Sequence, residues 1–114
     1  ESGFFENLIV LGENKKYAAA LILPDFAYLR TWCGEHKIPY TTNEEMIKNP
    51  DVIKRLQKEI KHYNHFFGDY EQIKRYQFVT DEWSPASGFL SPTLKIKRNV
   101  LEKFYADKIE KLFE

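Results

Sequence analysis

The chain has 114 residues, 43% of them hydrophobic and 16% aromatic, which argues for one domain with a modest core and excludes a chain disordered by composition. Its 17 basic side chains balance 17 acidic ones, and that neutrality counts against a general nucleic-acid binder. Cys33 is the only cysteine, so no internal disulfide can form, and no apolar run approaches the ~20 residues of a membrane-spanning helix. A lone cysteine fits a reducing compartment. The opening stretch ESGFFENLIV has no basic segment ahead of its apolar residues and does not read as a secretion signal. It also lacks an initiator Met, and reads as if cut from the middle of something longer.

Residues 8–11 form a short apolar run ended by Gly12, and GENKK after it reads as a turn. Residues 17–23 form a second apolar run ended by Pro24, so the two are expected to pair as a hairpin. Three alanines weaken the second as a strand. Asp25 is placed to cap a helix that carries Phe26, Leu29, Trp32 and Cys33 on one face. Thr42 and Glu45 have capping-box spacing, and Asn49-Pro50 can start another helix. Val52, Ile53, Leu56, Ile60, Tyr63 and Phe67 then follow at helical spacing up to Gly68.

Residues 73–80 alternate enough to be a strand, with Tyr76, Phe78 and Thr80 on one side. EWSPASGFLSPT is loop, with a short extended piece expected at Phe89-Leu90. From Arg98 a helical stripe of Val100, Leu101, Phe104, Tyr105, Ile109, Leu112 and Phe113 runs to the end. The order predicts an α+β fold, a small sheet of about three strands plus a short hairpin, covered by helices.

Few residues suggest chemistry. His62 and His65 can share a helix face, but no third ligand accompanies them, and histidines near a helix C-terminus need no metal to explain them. No metal site is expected. Lys54, Arg55, Lys58 and Lys61 could attract phosphate or an acidic partner, although the wet face of an amphipathic helix has the same spacing. Cys33, beside Trp32 on an apolar face, reads as packing rather than as a nucleophile. No nucleophilic triad, phosphate-cradling glycine loop or zinc spacing occurs in the chain. What remains is LSPTLKIKRNVLEKF, residues 90–104, where Lys95, Lys97 and Arg98 follow a Ser-Pro turn. A proline-stiffened loop can hold Lys95 out at a set angle, as a point charge for a phosphate or carboxylate. Ordinary helix-start lysines would look the same.

That stretch, extended to GFLSPTLKIKRNVLEKFY over residues 88–105, resembles the C-terminal lysine motif of long-chain fatty-acid–CoA ligases, members of the adenylate-forming superfamily. Ser91 and Ile96 are mild variants of the long-chain pattern. FFENLIVLGENKKYAAALILPDF, residues 4–26, resembles the segment that opens the small C-terminal domain of those enzymes. The two blocks stand in the family's order and bracket nearly the whole chain. Where the wider superfamily usually has a Gly before its lysine, this sequence has Leu94, a departure that marks the long-chain branch.

The resemblance implies that Lys95 is the catalytic lysine, that Lys97 falls on a variable position, and that Arg98 takes a common basic position of structural character. It implies that residues 1–114 are a C-terminal lid domain whose large N-terminal adenylation domain and hinge lie outside this chain. The full-length enzyme would use ATP, Mg2+ and CoA with a fatty acid, and its lid would rotate between adenylation and thioester formation. None of these ligands is expected to bind tightly to the lid alone, which is expected to lack ligase activity. Cytoplasmic placement is expected, with peripheral membrane contact of the full-length enzyme left open and no role for nucleic acid. The alternative from the residues themselves is a non-catalytic α+β binding module that uses the basic helix face.

Overall fold

A computed structural model of the chain describes residues 3–68 and 71–114. Its centre is the strand β2 (Ala18–Pro24), every residue of which is buried. On one side β2 pairs antiparallel with β1 (Phe5–Leu11), with Ile9 opposite Leu21 and Val10 opposite Ala20. On the other it pairs in parallel with β3 (Ile73–Phe78), Ala20 opposite Tyr76 and Ile22 opposite Phe78. A parallel neighbour needs a crossover, and the three intervening helices supply it: α1 (Phe26–Glu35), α2 (Asn43–Met46) and α3 (Pro50–Asn64). After β3 come a long loop and two short helices, α4 (Arg98–Phe104) and α5 (Ala106–Leu112). The result is a three-stranded mixed sheet with five helices among the described residues, an α+β fold as expected.

The alternation of β2 divides the core. Ala19, Leu21 and Leu23 enter the larger cluster with Leu29, Cys33, Met46, Leu56, Leu101 and Leu112. Ala20 and Ile22 enter a smaller one with Ile60 and Ile73. The alanines are therefore no argument against a strand here, because β2 is flanked by strands and covered on both faces. Each fully buried Leu or Ile contributes roughly 1.5–3 kcal/mol of transfer free energy.

The expected caps form. Asp25 accepts from the Tyr28 amide at 3.0 Å, Thr42 Oγ1 from the Glu45 amide at 3.1 Å, and Asn49 Oδ1 from the Asp51 amide at 2.8 Å.

The strands shift by a few residues, β1 starting at Phe5 and β3 ending at Phe78 before Thr80, and two helix boundaries differ from expectation. Helix α3 ends at Asn64, not at Gly68, and leaves Phe66 exposed. Asn64 itself is the reason. Its side-chain amide donates to the Ile73 carbonyl at 2.9 Å, and its Oδ1 accepts from the Ile73 amide at 2.7 Å. Gln72 also donates to the carbonyls of Asn64 and Phe67, so the helix end is satisfied by the start of β3. The second difference is at the C-terminus, where one helical stripe becomes two helices joined at Tyr105 (φ −100°, ψ 22°). The Tyr105 amide still bonds Leu101 and its carbonyl still accepts from Ile109, so the break is local. Val100 and Phe104 lie on the stripe but are exposed.

Candidate functional site

The loop between β3 and α4 is held firmly at its base. Trp83 is buried and donates its indole N–H to the Tyr105 hydroxyl at 3.1 Å. That hydroxyl donates in turn to Asp81 Oδ2 at 2.9 Å. Burial pushes the Tyr105 phenol far above its ordinary range, and the Asp81 carboxylate adds to the shift, so Tyr105 stays a neutral donor. Phe89 packs against the rings of Phe104 and Tyr105. Ser84 and Ser87 bond each other's backbone, and Gly88 at φ +86° turns the chain back toward the core.

On this base stands a small hairpin. Leu90 bridges Ile96 antiparallel, and the Lys97 amide donates to the Phe89 carbonyl at 2.9 Å. Leu90 is buried and Ile96 packs against the core. Between them, the Ser91 amide donates to the Lys95 carbonyl and the Leu94 amide to the Ser91 carbonyl, both at 2.8 Å. Pro92 sits second in that turn, and Leu94 has φ +66°. This is a three-residue hairpin loop, a tight turn followed by one left-handed residue, the position that ordinarily takes Gly. Lys95 comes next, is exposed, and anchors its amide on Ser91 Oγ at 3.1 Å.

The three cations of this stretch have different surroundings. Lys95 belongs to the hairpin loop. Lys97 is exposed and caps α4 through its backbone only, with no side-chain capping bond. Arg98 reaches back across the fold: its guanidinium donates to the Val10 carbonyl of β1 and pairs with Glu102 at 3.0 Å. The structural character expected of Arg98 fits these bonds.

The other candidates are explained by packing. Cys33 is fully buried, which pushes its thiol pKa up and leaves it a core residue. His62 and His65 contact the Phe66 ring edge-on, and no group of three or more His, Cys, Asp or Glu among the described residues could hold a metal ion. Of the basic residues on α3, Lys54, Lys58 and Lys61 are exposed. Arg55 is committed, 2.7 Å from Glu59 and with its guanidinium carbon 4.3 Å from the Phe4 ring centroid. A groove of about 540 Å³ lies elsewhere, between the β1–β2 turn and the end of α3. Its lining mixes Lys15, Lys16 and Arg98 with Glu13 and Glu71 and excludes Lys95.

The turn before Lys95 is legible in the sequence, whereas the Asp81–Trp83–Tyr105 network and the Ser91 bond are not. A signal for the left-handed residue was present: Leu94 stands where the resembled superfamily usually has Gly.

The fold matches one part of solved adenylation domains. The chain superposes on the adenylation domain of a carboxylate reductase from Mycobacterium chelonae with a TM-score of 0.65 and 22% identity, over 96% of this chain and 16% of that one. The Segniliparus rugosus counterpart, in complex with AMP and a co-purified carboxylic acid, gives 0.60 and 18%, again over 96% of this chain and 16% of that one.

Relatives by sequence are more specific. The chain is 23% identical to long chain acyl-CoA synthetase 8 of Arabidopsis thaliana over 98% of its length and 16% of that protein. It is 26% identical to the long-chain-fatty-acid–CoA ligase FadD15 of Mycobacterium tuberculosis, over 92% of its length and 18% of that protein. It is 31% identical to the long-chain-fatty-acid–CoA ligase heimdall of Drosophila melanogaster, over 61% of its length and 10% of that protein. No family model matches the chain. Its homologues are thus long-chain fatty-acid–CoA ligases, and it matches a fragment of them, spanning less than a fifth of their length. The binding-module alternative is not favoured.

Proposed function

We propose that the chain is the C-terminal lid of a long-chain fatty-acid–CoA ligase, and that Lys95 is the cation it brings to the chemistry. The observation that carries the reading is the pose of Lys95. It is exposed beside a proline-stiffened loop whose arms are fixed, Leu90 in the core and Ile96 packed against it.

In the first half-reaction a fatty-acid carboxylate oxygen attacks the α-phosphorus of ATP, the bond to pyrophosphate breaks, and an acyl-adenylate forms. Two anions meet and charge grows on the phosphoryl oxygens. An ammonium placed there stabilises the transition state more than the ground state. In the second, the CoA sulfur attacks the acyl carbonyl, AMP leaves, and the thiol proton passes to solvent. Lys95 must by then be withdrawn, which a lid that rotates as a body accomplishes. Mg2+ would neutralise phosphate charge in such reactions, and no group of three or more His, Cys, Asp or Glu among the described residues could hold it on the lid. The ATP, Mg2+ and fatty-acid sites are assigned to a larger N-terminal domain, which the lid meets as partner. Val100 and Phe104, exposed on α4 directly after the lysine hairpin, are apolar surface suited to such a contact. No helix among the described residues is long and apolar enough to cross a membrane. We place the enzyme in the cytoplasm.

Lys95→Ala in the full-length enzyme tests this reading. Single-turnover adenylation is expected to fall by ~10²-fold or more, while thioester formation from pre-made acyl-adenylate is largely spared. Equal losses in both half-reactions would sink the two-pose role of Lys95.

A further inference from the structure

We propose that Ser91 is the positioning residue for Lys95, and that its hydroxyl, rather than the loop backbone alone, sets the angle at which the lysine leaves the hairpin. The inference rests on the role of Lys95 proposed above. Both backbone polar groups of Lys95 bond Ser91. The Lys95 carbonyl accepts from the Ser91 amide at 2.8 Å, and the Lys95 amide donates to Ser91 Oγ at 3.1 Å. The Ser91 carbonyl meanwhile accepts from the Leu94 amide at 2.8 Å. Ser91 thus closes the turn with its backbone and brackets Lys95 with its side chain.

The side-chain bond is the replaceable one. Ser91 Oγ also lies 3.0 Å from Thr93 Oγ1, so a neighbouring hydroxyl fixes the rotamer that faces Lys95. Without Oγ, the exposed Lys95 amide can turn to water with little effect on folding, but the lysine stem is no longer oriented on both sides. A long side chain amplifies a small change at its Cα into a larger displacement of the ammonium. Displacements of ~1 Å at a reacting centre can lower rates ~10²-fold. Loss of one of the two bracket bonds, with the backbone bond kept, is expected to lower the rate less, by about tenfold.

The experiment is a double-mutant cycle in the full-length enzyme, using ATP and palmitate with single-turnover adenylation as the readout. Ser91→Ala is expected to lower the adenylation rate by about tenfold, with an unchanged melting temperature, an unchanged KM for ATP and an unaffected thioester step. Ser91→Thr, which keeps the hydroxyl, is expected to stay within about twofold of the parent. In a Lys95→Ala background Ser91→Ala should have no further effect, because its action passes through the lysine. A harmless Ser91→Ala beside a damaging Lys95→Ala overturns the proposal alone. So does an undiminished Ser91→Ala loss in the Lys95→Ala background, or a Thr variant as slow as the Ala. A harmless Lys95→Ala overturns the role of Lys95 and this proposal with it.

Discussion

Two turns in this molecule solve the same geometric problem with different residues. The turn between β1 and β2 reverses the chain using Gly12 at φ +144° and Asn14 at φ +63°, residue types that tolerate positive φ. It joins two seven-residue strands, one of them entirely buried. The turn between Leu90 and Ile96 reverses the chain using Pro92 and a leucine at φ +66°, with that leucine 66% exposed, and it joins arms paired by a single bridge. An aliphatic residue in the left-handed region is unfavourable by roughly 1–2 kcal/mol. The strand turn is therefore optimised for the sheet, whereas the lysine turn keeps strain beside the one residue to which chemistry is assigned. Strain of this kind persists where surrounding structure over-determines it. Here the Ser91 bonds, the buried Leu90 and the aromatic base around Tyr105 do so.

The largest expected effect on stability is in the strand turn. A Cβ on Gly12 would sit 2.8 Å from the Tyr17 carbonyl oxygen and 3.0 Å from the Ala18 Cα, both backbone atoms that cannot swing aside. Gly12→Ala should destabilise the chain by about 1–3 kcal/mol, read as a lower urea midpoint. An unchanged midpoint would mean the turn relaxes freely and the contrast between the two turns fails. Next is Arg98→Ala, which removes the bond to Val10 and the pair with Glu102. A loss of about 1 kcal/mol in a thermal melt is expected, with adenylation by the full-length enzyme lowered at most in proportion. A large rate loss with an unchanged melt would move Arg98 out of its structural role.

The difference between the turns also marks what was legible in the sequence. Gly12 and Asn14 announce a turn by residue type, and Asp25, Thr42 and Asn49 announce helix starts, because each carries its local physics in its own side chain. Asn64 was not legible as a helix end, since its partner is the backbone of Ile73, nine residues on. Nor was the join at Tyr105, which reflects a hydroxyl held by Asp81 and Trp83, 24 and 22 residues away in sequence. The parallel pairing of β3 with β2 is likewise a product of the three-helix crossover. At the candidate site, Lys95 is singled out by family resemblance alone, while the conformation that presents it is implied only by the displaced glycine position.

Leu94→Gly probes that conformation directly. Glycine removes the roughly 1–2 kcal/mol cost of a left-handed leucine but loses about 0.5–1 kcal/mol to its freer unfolded chain. The chain should become more stable by about 0.5–1 kcal/mol, seen as a raised urea midpoint. A destabilised variant would show that the exposed Leu94 side chain makes a contribution larger than its strain.

The smallest effect separates position from charge. Lys97 carries the same charge as Lys95 and lies two residues further on, so a diffuse cationic patch would treat the two alike. The structure gives them different backbones. Lys95 has its amide and carbonyl bracketed by Ser91, whereas Lys97 donates its amide to Phe89 and accepts from Val100 and Leu101 at the start of α4. A side chain at Lys97 is thus set by the helix, and nothing in the turn aims it. Lys97→Ala is expected to lower adenylation by the full-length enzyme only a few-fold, with a salt dependence that reflects lost long-range attraction. Lys95→Arg should stay badly impaired with its charge intact, because the planar guanidinium cannot occupy the place of a compact ammonium between carboxylate and phosphate. Single-turnover adenylation with a thermal melt for each variant decides the matter. If Lys97→Ala is as damaging as Lys95→Ala at an unchanged melting temperature, the reacting lysine is the one at the helix start, and the strained turn serves some other end.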